Sequence, residues 1–353
     1  MYVGRKIVAG GLFVASLVGL GQLQAPAVHA QTPTPTPTDP GYTTTTIGTL
    51  GGHDGYASDI NDFGRVSGYA ETESSDYRGF MWRRGTMTQI NPLSNDESDR
   101  SYAYGINDTG YVVGESTFGD NQTRAFYWRG GGNLINLGTL GGNKSRAVDV
   151  SNGERIIGTS DTANGESHAF MWYRGTMTDL GTLGGPSSAA NEINDHKVIV
   201  GTSTNANGQS RAMIWKNGQI IDLNVAAPNS YGYGINNHEQ IVGTMVLTDG
   251  IPRAFLWEDG ITTDLSTSTD TYTYAYDIND AGIIVGSTYD SEARKATVWR
   301  SGTVMYIWPS HDEWGEYHTG AGAINEANQI IGYLETSTWG YYGTDAKLWQ
   351  LTE

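Results

Sequence analysis

The sequence predicts an all-β fold, a seven-bladed β-propeller of four-stranded antiparallel blades, on three observations. First, an Ile-Asn pair or its equivalent recurs at Asn61, Asn107, Ser151, Asn194, Asn236, Asn279 and Asn325, with spacings of 46, 44, 43, 42, 43 and 46 residues. Second, each unit places a glycine seven residues after that position (Gly68, Gly114, Gly158, Gly201, Gly243, Gly286, Gly332) and closes on a tryptophan (Trp82, Trp128, Trp172, Trp215, Trp257, Trp299, Trp349). Third, no segment sustains a helical period, while 48 Gly, 21 Tyr and 10 Trp suit short strands and tight turns. A regular period in the low forties marks a propeller or solenoid, because each unit buries its apolar faces only against its neighbours.

In chain order, residues 1–30 have the pattern of a secretory signal: Arg5 and Lys6, an apolar run from Ile7 to Leu20, and Val28-His29-Ala30 as a small-x-small cleavage site. The Pro/Thr tract within 31–41 is an extended spacer. The propeller is expected over 42–353. Within a unit, a first strand ends at Ile-Asn, as in Tyr102–Ile106, and an N-D-x-G turn follows (Asn107 to Gly110). Asn and Asp bond their own backbone there, and glycine accepts positive φ. A V-V-G-x-S strand (Val112 to Ser116), a variable loop and an A-F-x-W strand (Ala169 to Trp172) come next. A glycine turn such as Arg174-Gly175 then leads to a fourth strand, expected at Met177 to Leu183. The chain stops after a third strand, and Tyr42 to Gly52 matches the fourth strands, so the N-terminal strand is expected to complete the last blade and close the ring. The repeated Ala (Ala57, Ala103, Ala147, Ala190, Ala275, Ala321) suits crowded inner strands, and the Trp and Phe positions are expected to pack between blades.

The run Arg124-Ala-Phe-Tyr-Trp128, then Leu137-Gly-Thr-Leu-Gly-Gly142, then Ile156-Ile-Gly158 resembles the HAF-repeat family of probable extracellular proteins, whose three letters stand at His168-Ala169-Phe170. The resemblance covers roughly residues 47–350 and implies secretion and a propeller-like repeat fold. It brings no catalytic residues. Lys295-Ala296-Thr297 and Asp345-Ala346-Lys347 depart from the motif, and His168 stands where other units have Arg124, Arg211 and Arg253, which makes it a poor catalytic candidate.

Composition limits function. Cysteine is absent, which excludes disulfides and thiolate metal sites. The formal charge is −17, and loss of Arg5 and Lys6 with the leader takes it to −19, so phosphate backbones are repelled and nucleic acid is not an expected partner. No second long apolar run follows residue 20, so no membrane span is expected after signal removal, and the secreted (extracellular or periplasmic) product is expected to be a monomer.

Function is expected on the face of the variable loops, since the opposite turns are monotonous. The most distinctive loop runs from Trp308 to His318, with His311, Asp312, Trp314 and Tyr317. Beside it the stretch 335–345, expected as a long loop, carries Trp339, Tyr341 and Tyr342. Aromatic faces beside carboxylates suit a sugar ring, and the competing possibility is a loop packing its own aromatics. His311, Tyr317 and His318 are the acid–base candidates, though no spacing rule identifies a pair. Tyr102, Tyr231 and Tyr274 open the first strands of their units and can ring a channel mouth. Tyr104, Tyr233 and Tyr276, two residues on, are expected to pack between blades. Asp59, Asp149, Glu192 and Asp277 precede the repeated Ile position; converging, they can hold a divalent cation such as calcium, or bond nearby turns instead. No cofactor is otherwise implied. The leading expectation is a non-enzymatic propeller binding a polysaccharide or an extracellular protein. A polysaccharide lyase or glycoside hydrolase at the same face is the alternative, and a structural matrix component a third.

Overall fold

The computed structural model describes residues 41–351 apart from 95, 97, 120, 121, 268–271, 291, 292, 308–317, 339 and 340, with backbone alone at 336–338, 341 and 342. The expected signal (1–30) and all but Gly41 of the spacer lie outside the described residues. Among the described residues every regular element is a β-strand. Unit 1 is an antiparallel meander of Gly51–Ile60, Val66–Thr72, Tyr77–Arg83 and Thr86–Ile90. The same order repeats in the units whose first strands are Ser101–Ile106, Gly141–Val150, Gly184–Ile193, Asn229–Ile235 and Tyr272–Ile278. In unit 7 the order is His318–Ile324, Gln329–Thr338, Tyr341–Leu351, and then the N-terminal strand Tyr42–Thr46, with Thr44 opposite Trp349.

Two sequence expectations need correction. The fourth strand of unit 3 is only Thr176–Asp179, and Leu183 is a lone bridge. The L-G-T-L-G-G runs are therefore crossings between units, bent at glycines such as Gly138 and Gly141 with φ of 82° and 108°, a backbone open to glycine at little cost. The stretch 335–345 is not a long loop. Its two sides pair in register as far as Thr338 opposite Tyr341, so it extends the sheet of unit 7 as a hairpin.

Every first strand carries a bulge just before the position held by Asp59 and its equivalents, as between Ala57 and Asp59 or Ala275 and Asp277. A bulge re-aims the side chain that follows it. It also explains the repeated glycine of the second strand. A Cβ at Gly114 or Gly286 would lie 1.9 Å from the carbonyl oxygen of Tyr102 or Tyr274. The space beyond Gly114 is filled by the Phe126 ring of the third strand.

The core lies between units. Phe80, Phe126, Phe170 and Phe255 are fully buried; each stabilises by about 2–3 kcal/mol. One cluster joins Ile157 and Ala169 of unit 3 to Ala190 and Trp215 of unit 4, and another joins Ala323 and Ala346 of unit 7 to Ile60 and Trp82 of unit 1. The tryptophan indoles also reach back: Trp215, Trp257 and Trp299 donate Nε1–H to the carbonyls of Leu180, Leu223 and Leu265 in the preceding unit.

Polar ladders run across the same junctions. The Asn61 side chain accepts from Phe63 and Arg65 of its own turn and donates Nδ2–H to the Asn107 carbonyl at 2.9 Å. Asn107 donates likewise to Ser151, Asn194 to Asn236, Asn236 to Asn279, Asn279 to Asn325, and Asn325 to Asn61. Ser151 accepts the Arg155 N–H, but its hydroxyl sits on a side chain shorter than the asparagine amide and makes no such link to unit 4. A second ladder uses the Ser or Thr two residues before the repeated small position. Ser101, Ser145, Ser188, Ser230, Thr273 and Thr319 accept the N–H of the third-strand residue of the unit before, at 2.8–3.0 Å.

Candidate functional site

The first strands carry different chemistry at their two ends. At the turn end they surround a cavity of about 170 Å³ lined by Asp and Glu side chains from both the first strands and the turns, with no basic residue in its lining. The predicted channel acids sit here. Asp59, Asp149 and Asp277 each accept the N–H of their own next residue with one oxygen, and the N–H of Ile106, Ile193 or Ile324 in the following unit with the other. Glu192 accepts from Ile235 at 3.2 Å. The four carboxylates thus act as staples between units. Among the described residues no group of three or more His, Asp or Glu is arranged to hold a metal ion. Where the acid is absent the chains close up instead: a Cβ at Gly105 would lie 2.8 Å from the Asp149 Cα, and one at Gly234 would lie 2.8 Å from the Asp277 Cα.

The turns add Asp62, Asp108, Asp195, Asp280 and Glu326. Asp62, Asp108, Asp280 and Glu326 accept backbone N–H groups across junctions, as Asp62 does from Glu326 and Glu326 from Asp280. Burial raises the pKa of Asp62; the Glu326 N–H opposes the rise, and the charges of Asp108, Asp195 and Asp280 reinforce it. Glu326 is raised by burial and by Asp280, Asp62 and Asp277, against the N–H of Asp280.

The other end is aromatic. Tyr102 stacks on Tyr104, with ring centroids 6.4 Å apart, and meets Tyr69 edge-on at 5.1 Å and Tyr77 at 6.2 Å. Tyr274 stacks on Tyr276 at 6.1 Å and meets Tyr289 edge-on at 5.9 Å. Tyr104 and Tyr276 are buried, as packing residues should be, whereas Tyr233 is half-buried against Tyr276. Tyr102, Tyr231 and Tyr274 are half-buried, so their rings are available at this end. Burial, the largest cause in each case, raises the pKa of Tyr102, Tyr104, Tyr233, Tyr274 and Tyr333, and takes Tyr289 to about 12.

Two arginines are built into these aromatic clusters. Arg146 binds Glu115 through Nε and Nη2 at 2.7 and 2.8 Å, Tyr104 donates to the same carboxylate at 2.9 Å, and the guanidinium lies 5.3 Å from the Tyr104 ring centre. Arg294, only 4% exposed, lies 4.9 Å from the Tyr333 ring centre and 5.3 Å from that of Tyr289. Its Nε donates to Ser287 at 3.2 Å.

Of the predicted loop residues, Trp308, His311, Asp312, Trp314, Tyr317 and Trp339 lie outside the described residues. Tyr341 and Tyr342 begin the last strand, opposite Thr338 and Ser337, and their side chains also lie outside the described set. His318 is half-buried at the start of its strand, and its Nδ1 accepts the Arg294 backbone N–H at 3.2 Å, which ties up one of the two nitrogens a general base would use. The HAF letters have a structural duty. His168 bonds Asp179 of the fourth strand at 2.8 Å, and Arg211 makes the same pairing with Asp222 at 3.0 Å. The hydroxyl ladder and the Glu115–Arg146 pair were not anticipated from sequence. The ladder had a visible signal, a Ser or Thr at one repeat position in six units; the ion pair had none, since its members stand 31 residues apart at different repeat positions.

No family model matches this sequence, and no curated protein matches it. Among solved structures, the chain is similar to the β-propeller domain of the Trilobed protease from Pyrococcus furiosus, with a TM-score of 0.56 at 10% identity over 85% of this chain and 96% of that one. It is also similar to a Pyrococcus horikoshii acylaminoacyl peptidase (TM-score 0.52, 11% identity, 86% of this chain and 54% of that one) and to a puromycin hydrolase (0.56, 11%, 84% and 52%). The chain spans about half the length of the latter two. At these identities the similarity shows the fold alone, a propeller-type all-β architecture.

Proposed function

We propose that the chain is a secreted, non-enzymatic, seven-bladed propeller of the HAF-repeat type, closed by its N-terminal strand, that binds a glycan through the face bearing the tyrosines and variable loops. The pairing of Tyr42–Thr46 with Tyr341–Leu351 and the Asn325-to-Asn61 bond support closure. The observation that carries the binding function is the pair of tyrosine clusters around Tyr102 and Tyr274 at one end of the first strands, each with half-buried rings. Aromatic faces cover the apolar faces of pyranose rings while phenol hydroxyls bond to sugar hydroxyls. Burial raises the pKa of Tyr102 and Tyr274, which suits these two hydroxyls as hydrogen-bond donors to a sugar rather than as bases. No helix among the described residues is long and apolar enough to cross a membrane.

A glycan array followed by calorimetry tests the proposal. Binding to at least one polysaccharide, weakened tenfold or more in Tyr102→Ala or Tyr274→Ala with the fold intact, is expected. Absence of binding across the panel removes it, and release of unsaturated or reducing-end products replaces it with the enzymatic alternative.

A further inference from the structure

Units 2 and 6 carry the same tyrosine pair, Tyr102 and Tyr104 in one, Tyr274 and Tyr276 in the other, and each pair has an arginine against its cluster. They differ at the residue after the second-strand glycine. In unit 2 it is Glu115, which neutralises Arg146 with two bonds. In unit 6 it is Ser287, which gives Arg294 a single neutral acceptor. Among the described residues Arg294 has no ion-pair partner, its Nη2 has no hydrogen-bond partner, and the buried hydroxyl of Tyr333, whose ring faces the guanidinium, has none either. Glu335 acts on the guanidinium through space without forming an ion pair. A buried guanidinium is strongly disfavoured unless an anion meets it, and a planar carboxylate fits its paired N–H donors best.

We propose that Arg294, Tyr333 and the Tyr274–Tyr276–Tyr289 cluster form a subsite for the carboxylate of an acidic sugar, with the ligand supplying the group that Glu115 supplies in unit 2. The subsite rests on the glycan-binding proposal above and narrows it. Tyr274 and Tyr289 are partly exposed, and Tyr289 packs against both Tyr274 and the guanidinium. Their rings receive the sugar face while Nη2 and the Tyr333 hydroxyl donate to the carboxylate. The formal charge of −17 repels a densely charged polyanion, so the ligand is a glycan in which a uronic acid is isolated or terminal.

Cellobiouronic acid and cellobiose, titrated calorimetrically into the purified protein, form a matched acid–neutral pair. The acid is expected to bind at least tenfold tighter. That preference should vanish in Arg294→Met and also in Ser287→Glu, which installs an internal carboxylate beside the guanidinium and is expected to raise the melting temperature. Retention of the preference in a folded Ser287→Glu protein overturns the subsite even if Arg294→Met fails to fold. Equal affinity for both sugars overturns the subsite and leaves the glycan-binding proposal standing. If neither disaccharide binds while neutral polysaccharides do, the subsite alone falls; if nothing binds, both fall.

Discussion

The two ends of the first strands teach opposite lessons about repetition. At the turn end nearly every polar group is spent on the neighbouring unit: Asn107 on Ser151, Asp149 on Ile193, Glu326 on Asp280. Such a surface is a scaffold whose carboxylates already hold N–H donors that would otherwise be orphaned. At the aromatic end the repeat is broken. Tyrosines stand where other units have Ala189 or Gly320, and Arg294 is buried without the acid that satisfies Arg146. Polar groups left over from the scaffold are where a ligand can contribute most.

The largest effects should come from breaking the shared scaffold. Gly158→Ala puts a Cβ 1.9 Å from the Arg146 carbonyl, on backbone that cannot yield, and is expected to destabilise by roughly 3 kcal/mol or more. A denaturant midpoint equal to wild type would show that the bulge moves freely. The two arginines should then diverge. Glu115→Gln leaves the partly exposed Arg146 without its counter-charge and is expected to cost about 2 kcal/mol. Arg294→Met removes a charge that has no partner and is expected to be neutral or stabilising in the absence of ligand. Equal losses in chemical unfolding would erase the distinction between the clusters.

A smaller effect tests the asparagine ladder. Ser151→Asn supplies the amide missing between units 3 and 4 and is expected to gain about 1 kcal/mol, whereas Asn279→Ala loses its donors to Asn325 and Asn328 and its acceptor for Ile283, at a cost of about 2 kcal/mol. The smallest effect is electrostatic. The folded pKa of Asp62 is raised, so its ionisation opposes folding: its favourable contribution is full below the unperturbed 3.8 and is lost as pH rises through the folded value. Asp62→Asn keeps the acceptor for Glu326 N–H and removes the charge, so it should stabilise at pH 7 and match wild type in acid. A pH-independent difference in melting temperature would assign the effect to packing.

The fold was legible because its determinants are local and recur. Asn61 and its equivalents announce a turn, Gly68 and its equivalents a close approach, and Trp82 and its equivalents a buried face. Their second roles were not legible, because the partner lies one unit away: the Asn61 amide reaches Asn107 across 46 residues, and His168 pairs with Asp179 only when the fourth strand lies beside it. Fourth strands were overestimated because L-G-T-L-G-G alternates like a strand while its glycines take positive φ. The hairpin at 335–345 was missed because its polar, aromatic residues resemble a loop, yet pair in register on an established sheet. Of the predicted site, the Tyr102, Tyr231 and Tyr274 positions came from repeat alignment, while Arg294 stayed hidden because nothing in sequence reveals that a buried charge lacks its partner.

The most direct test of the central claim is a glycan-panel titration of the wild-type protein beside Tyr274→Ala, with a turn-end variant, Asp195→Asn, as control. Binding that falls tenfold or more in Tyr274→Ala and is unchanged in Asp195→Asn is the predicted result. Binding lost in Asp195→Asn and retained in Tyr274→Ala would move the site to the acidic end and contradict the account.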